Sequence, residues 1–120
     1  MARLLFNLPF MRKEYLLEEE TSVGRLPGNT LTIPDYELFS LLSRELQQEH
    51  YKTLKKVSRK HAKISIRSEE AYIVDIGNSG SGSTFGTFVN KNRLMPGEKC
   101  FLQDGDSIVF GFIEAIFKEH

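Results

Sequence analysis

Six cationic side chains, Lys52, Lys55, Lys56, Arg59, Lys60 and Lys63, fall within a stretch that contains no acid. Ser58 lies inside this run. A second hydroxyl-bearing segment, residues 77–87, holds four Gly, three Ser and two Thr, and it is expected to be a mobile loop. Guanidinium, ammonium and hydroxyl donors grouped this way suit a compact dianion such as a phosphate monoester, which presents three strong acceptor oxygens. A plainer account is that the cations solvate a loop and a strand face, and composition alone favours it.

Other chemistries lack their parts. Ser58 and His61 are three apart, but on a loop entering a strand that spacing does not make a nucleophile–base pair, and no acid is placed to orient the imidazole. His50, His61 and His120 lack zinc-ligand spacing. The stretch GNSGSGSTFG lacks the Gly-Lys-Ser/Thr ending of a nucleotide-binding P-loop. No enzymatic activity, cofactor or metal is therefore expected. Sixteen Lys plus Arg balance sixteen Asp plus Glu, which disfavours a nonspecific nucleic-acid or anionic-membrane binder. Phe85 could be offered for base stacking, but Phe88 is expected to face the core.

The elements that must hold these residues are mostly short strands. At 120 residues the chain has the size of one domain, 1–120. In AKISIRS, Ala62, Ile64 and Ile66 alternate with Lys63, Ser65 and Arg67, which gives an apolar face and a wet face. Arg3 to Leu8 and Lys13 to Leu17 read as a strand pair around Pro9. Further strands are AYIVDI, TFVN, KCFL, SIVFGF and AIFK, separated by turns such as Pro96-Gly97 and Asp104-Gly105. This spacing predicts an all-β antiparallel sandwich or barrel.

One segment differs. From Asp35 to about Leu54, Leu38, Leu42 and Leu46, with Phe39, share a helical face, and Asp35 after Pro34 is a candidate N-cap. A single inserted α-helix around residues 35–54 is expected. Its apolar stripe would pack on the sandwich flank or stay open as a face for homodimerisation. The lone Cys100, in KCFL, is expected to be a buried thiol; one cysteine excludes an intrachain disulfide and fits a reducing compartment. No apolar run reaches the roughly 20 residues that span a bilayer. The start MARLLFNLPF is broken by Asn7 and Pro9 and reads as a strand rather than a signal peptide. An intracellular protein is expected, nuclear and cytoplasmic placement being indistinguishable.

The ordered set VGR (Val23 to Arg25), NTLTIPD (Asn29 to Asp35), VSRKHA (Val57 to Ala62), VDI with STFGTFVN (Ser83 to Asn90), and GDSIVFG (Gly105 to Gly111) resembles the forkhead-associated (FHA) domain. The resemblance covers nearly the whole chain apart from the insertion. It implies a β-sandwich of about eleven strands whose loops at one end bind phosphothreonine in an extended peptide, so the partner would be a phosphorylated protein and the module an adaptor in signalling. By the same resemblance Arg25 is the phosphate clamp and Ser58 gives its hydroxyl to the phosphate. Arg59 or Lys60 adds charge, and Thr84 supplies the second hydroxyl. Asn90 supports the loop or reaches the peptide main chain, and His61 holds the loop without touching ligand. Phe85 stands where the family usually has an Asn that bonds the peptide backbone. The alternative is therefore a degenerate interaction or dimerisation module that does not bind phosphate.

Overall fold

The computed structural model describes residues 1–120 and turns the period-two pattern into two packed sheets. The strands are β1 (Arg3–Leu5), β2 (Glu14–Leu16), β3 (Glu20–Gly24), β4 (Leu31–Thr32), β5 (Ala62–Arg67), β6 (Glu70–Asp75), β7 (Thr87–Val89), β8 (Asn92–Arg93), β9 (Cys100–Leu102), β10 (Ser107–Phe110) and β11 (Ile113–Lys118). One sheet runs β2-β1-β11-β10-β7-β8 and the other β4-β3-β5-β6-β9. Pairing is antiparallel except for β3 with β4, where Val23 lies beside Leu31 in parallel. Leu4, Ile108, Phe110 and Phe117 from the first sheet and Val23, Ile64 and Ile73 from the second are wholly removed from water, so the core lies between the sheets. The expected β-sandwich is the fold observed.

The helical insertion departs from the single helix expected over 35–54. It is two helices, α1 (Tyr36–Leu41) and α2 (Arg44–Leu54), broken where Leu42 is extended and Ser43 caps the second. The Ser43 hydroxyl accepts from the Leu46 N–H at 3.2 Å, which lets a new helix start in the middle of a helical pattern. The Gln47 carboxamide donates to the carbonyls of Phe39 and Leu42, each at 3.1 Å, which satisfies the open end of α1. The break divides the leucine stripe. Phe39 and Leu42 pack against the core, whereas Leu46 is exposed on α2. The flank-packing account therefore holds for Phe39 and Leu42.

Asp35 anchors the start of α1. Its carboxylate accepts from the Leu38 N–H at 3.4 Å and from the Tyr15 hydroxyl at 2.9 Å, with Arg12 Nε at 3.5 Å. Burial and the Asp35 carboxylate push the Tyr15 phenol up to about 12. At the far end, buried Leu54 and Val57 seat the chain in the core, which fixes where Ser58 emerges.

Two smaller expectations change. In β7, Thr87 and Val89 face inward, so Phe88 turns outward and lies under the Arg93 guanidinium, 5.9 Å from its ring centre. Cys100 is half-buried at a sheet edge rather than sealed in, and burial pushes its thiol up from its ordinary range.

Candidate functional site

Two loops at one end of the sandwich are joined by main-chain hydrogen bonds. The N–H groups of Arg25 and Leu26 donate to the carbonyls of Ser58 and Arg59 at 3.1 and 3.2 Å, and the His61 N–H donates to Val23 at 2.8 Å. This approach needs glycine at position 24, because a Cβ there would collide with the Arg59 carbonyl oxygen. The Asn29 carboxamide donates to the carbonyls of Leu26 and Arg59 at 2.9 and 2.8 Å, which staples the loops a second time. From the insertion, the Tyr36 hydroxyl donates to the Arg25 carbonyl at 2.5 Å.

These bonds aim Arg25. Its side chain is half-buried, and Nε donates to the Val57 carbonyl at 2.5 Å. The fork is thus held at its root, and its two terminal nitrogens find no acceptor within the chain. A guanidinium in this state is prepared for bidentate bonding to an oxyanion.

Ser58 is buried beside it. Its N–H donates to His61 Nδ1 at 2.9 Å, so that nitrogen carries no proton. The other ring nitrogen, Nε2, then donates to the Gly86 carbonyl at 2.9 Å. His61 is fully enclosed, and burial lowers its pKa, opposed by the Gly86 bond and the nearby Asp75 charge. The imidazole is therefore a neutral strut between two loops. Because Nδ1 meets a main-chain N–H rather than a hydroxyl, Ser58 and His61 do not form a nucleophile and base.

The strut brings the third loop to the first two. Ser58 Oγ accepts from the Thr84 N–H at 3.3 Å, which leaves the Ser58 hydroxyl proton free to be donated outward. The Gly-rich loop is anchored at both of its ends, while residues 79–81 bond only one another, through the Ser79 and Ser81 hydroxyls. The buried Asp75 carboxylate takes the Ser83 N–H at 3.2 and 3.3 Å and the Thr87 hydroxyl at 2.8 Å, and Asn78 Oδ1 takes the Lys60 N–H at 2.9 Å. Thr84 stands exposed on the rim with its hydroxyl unpartnered, and Arg59 and Lys60 extend exposed side chains from the adjoining loop.

Arg25, Ser58, Arg59, Lys60 and Thr84 are thus gathered at one end. Asn90 is not with them. It lies past the opposite end of β7, where its carboxamide donates to Asp106 and accepts from the Ser107 N–H, both at 3.0 Å. Asn90 holds a tight turn of positive φ (49°, followed by 72° at Lys91), a conformation that Asn tolerates well. The largest cavity, about 680 Å³, is at the other end of β5, and Glu18, Glu19, Glu69 and Glu119 line it, so it repels anions.

Sequence reasoning passed over Asn29, Tyr36 and Asp75, which hold the site without belonging to its donor set. Asp75, an acid inside an apolar strand and followed by a Gly-rich loop, carried a readable signal. The bonds of Asn29 and Tyr36 join segments 11 to 30 residues apart and left none.

The FHA domain model matches residues 21–111. A solved structure from a structural and functional analysis of phosphothreonine-dependent FHA domain interactions superposes with a TM-score of 0.69 at 27% identity, covering 99% of this chain and 96% of the other. The FhaA FHA domain, solved in complex with the intracellular domain of Rv3910, matches with a TM-score of 0.69 at 26% identity over 98% of this chain and all of that one. Protein FraH of Nostoc sp. is 40% identical over 55 residues, which is 46% of this chain but only 17% of FraH.

Proposed function

The chain belongs to the FHA domain family, and from that premise we propose that it binds phosphothreonine in an extended segment of a partner protein, as an adaptor without catalytic chemistry of its own. The observation that carries this reading is the convergence of an anchored but unsatisfied guanidinium, Arg25, with two hydroxyls, Ser58 and Thr84, whose main-chain settings leave a proton free for a ligand. Arg25 supplies two parallel N–H donors, the hydroxyls supply two more, and Arg59 with Lys60 raises the local positive potential. A relative solved in a structural and functional analysis of phosphothreonine-dependent FHA domain interactions supports the same class of ligand.

In mechanism the site is a preformed cradle. His61, Asn29 and Gly24 hold the loops before any ligand arrives, so little ordering entropy is left for binding to overcome. No bond is made or broken, and the mark is read by charge and donor geometry.

The rival reading, a module that has kept the sandwich but not phosphate recognition, draws on Phe85, which offers no hydrogen bond to a peptide main chain. One paired titration separates the two. A phosphothreonine peptide library and its unphosphorylated counterpart are titrated against the parent and Arg25→Ala. Phosphate reading requires that the parent prefer the phosphorylated set and that Arg25→Ala lose this preference. Equal binding of both sets by the parent would establish the rival.

A further inference from the structure

The chain is neutral as a whole, yet its two ends carry opposite charges that it does not itself pair. Away from the loops, the groove of about 680 Å³ opens where the two sheets meet, with Leu17, Ile66 and Phe117 in its apolar lining. The carboxylates of Glu18, Glu19, Glu69 and Glu119 rim it, all four exposed. Glu18, Glu19 and Glu69 have no cationic side chain within ion-pair reach, and Glu119 meets only His120, at 4.0 Å. Their neighbour Glu20 is the contrast, since Lys63 and Arg67 both hold its carboxylate. An apolar floor inside a ring of unpaired carboxylates suits an aliphatic group flanked by cations. The loop end presents such a group. Leu26, 40% exposed, and the exposed Pro27 form the tip of a turn that the Asn29 N–H closes on the Leu26 carbonyl at 3.0 Å. Arg59 and Lys60 stand beside this tip, to which the Leu26 N–H and the Asn29 carboxamide tie their loop, and neither cation has an acid partner.

We propose that copies of this chain join head to tail, the Leu26-Pro27 tip of one copy seated on the apolar floor of the next, with its Arg59 and Lys60 paired to the rim carboxylates. The occupant follows from charge complementarity: one chain carries both the unpaired acidic groove and the unpaired basic tip. Exposed ion pairs are individually weak, so burial of Leu26 and Pro27 carries the contact and the charges set its direction. Because the two surfaces differ, each added copy leaves one of each open, and the assembly grows unless its rotation closes a ring. Arg59 and Lys60 also belong to the phosphate cradle. On the phosphate reading above, a bound phosphothreonine peptide therefore competes with the neighbouring copy and returns the protein to single copies.

The test is sedimentation across a concentration range of the parent, of a tip variant, Leu26→Ser, of a groove variant carrying Glu18→Lys and Glu69→Lys, and of an equimolar mixture of the two variants. Circular dichroism confirms that each is folded. The parent should gain mass with concentration and lose that gain as salt rises from about 0.01 M to about 1 M, which shortens the screening length from about 30 Å to about 3 Å. Each variant alone should associate about tenfold more weakly or worse. The mixture should form a dimer and nothing larger, because the tip variant keeps an intact groove and the groove variant an intact tip. A parent that stays a single copy throughout overturns the proposal, as does association that either variant leaves unchanged or that the mixture fails to restore. The groove variant keeps the cradle unaltered, so titrating it with phosphothreonine peptides and their unphosphorylated counterparts isolates the phosphate reading: no preference overturns that reading and leaves the contact to the mixing result. A phosphothreonine peptide that this variant binds should disperse the parent assembly, and an assembly that persists at saturation overturns the seat given to Arg59 and Lys60 and the proposal with it.

Discussion

Arg25 Nε donates to the Val57 carbonyl at 2.5 Å, so the guanidinium proposed as the phosphate clamp is fastened to the residue that precedes Ser58. The bond spans 32 residues of sequence, including both helices, and it makes the spacing between the two motifs irrelevant to the site. It also explains why a lysine would be a poor substitute. An ammonium offers no separate root nitrogen to pin while two terminal donors face the ligand.

Arg25→Ala should weaken phosphothreonine-peptide binding by about 2 kcal/mol or more, the range for removing a charged hydrogen-bond partner. Arg25→Lys should recover only a minor part of that loss. Titration calorimetry on the three proteins at fixed ionic strength checks both, and full recovery by Lys would show that charge alone, without the fork, sets the affinity.

The two hydroxyls are not equivalent. Thr84→Ala removes one outward donor, a loss of about 1 kcal/mol in binding. Ser58→Ala removes a donor and also the acceptor of the Thr84 N–H, so it should cost more in affinity and should measurably lower thermal stability. Comparing the two variants by calorimetry and thermal denaturation tests that order, and equal effects on both readouts would contradict it.

The sandwich was readable because strands with one wet face write their burial into alternate residues, as Ala62 and Ile64 do against Lys63. Arg25, Ser58 and Thr84 were within reach of the family resemblance because each lies in a short motif that carries it, VGR, VSRKHA and STFG. The break at Ser43 was hidden by leucines that keep helical spacing on either side of it, although Ser is a favoured cap. Phe88 was misplaced because hydrophobicity alone does not set the phase of a three-residue strand; the inward face went to Thr87, whose hydroxyl is held by Asp75. For Asn90 the resemblance left two roles, loop support or a reach to the peptide main chain; its position after Val89 puts it at the far end of β7, where its bonds to Asp106 and Ser107 support a turn.

His61 gives the fold a pH dependence whose sign is fixed by its burial. Its folded pKa lies below the ordinary 6.5, so between those two values the unfolded chain binds a proton that the folded chain refuses. Stability is full above about pH 6.5 and declines as pH falls from there toward the folded pKa, with a slope of up to about 1.4 kcal/mol per pH unit for one proton. Urea melts at pH 7.5, 6.5 and 5.5 should show that decline. His61→Gln should be less stable at every pH and should lose the part of the slope that belongs to the imidazole; an unchanged slope would place the titration elsewhere.

Gly24→Ala tests whether the cradle depends on the close approach of its loops rather than on the ligand donors alone. The added methyl group would strike the Arg59 carbonyl, which is main chain and cannot swing aside as a side-chain end could. The loops must part, stretching the bonds from Leu26 to Arg59 and from Asn29 to Arg59 that close them. The expected cost is about 1–3 kcal/mol in folding, typical of overpacking, together with a large loss of phosphopeptide affinity although no ligand donor has been altered. Asn29→Ala removes a staple without adding bulk, so it should lower affinity less and leave the fold closer to the parent. Urea denaturation and peptide titration on both variants check the pair, and a Gly24→Ala protein that binds as the parent does would show that the loops need not meet for the anion to be held.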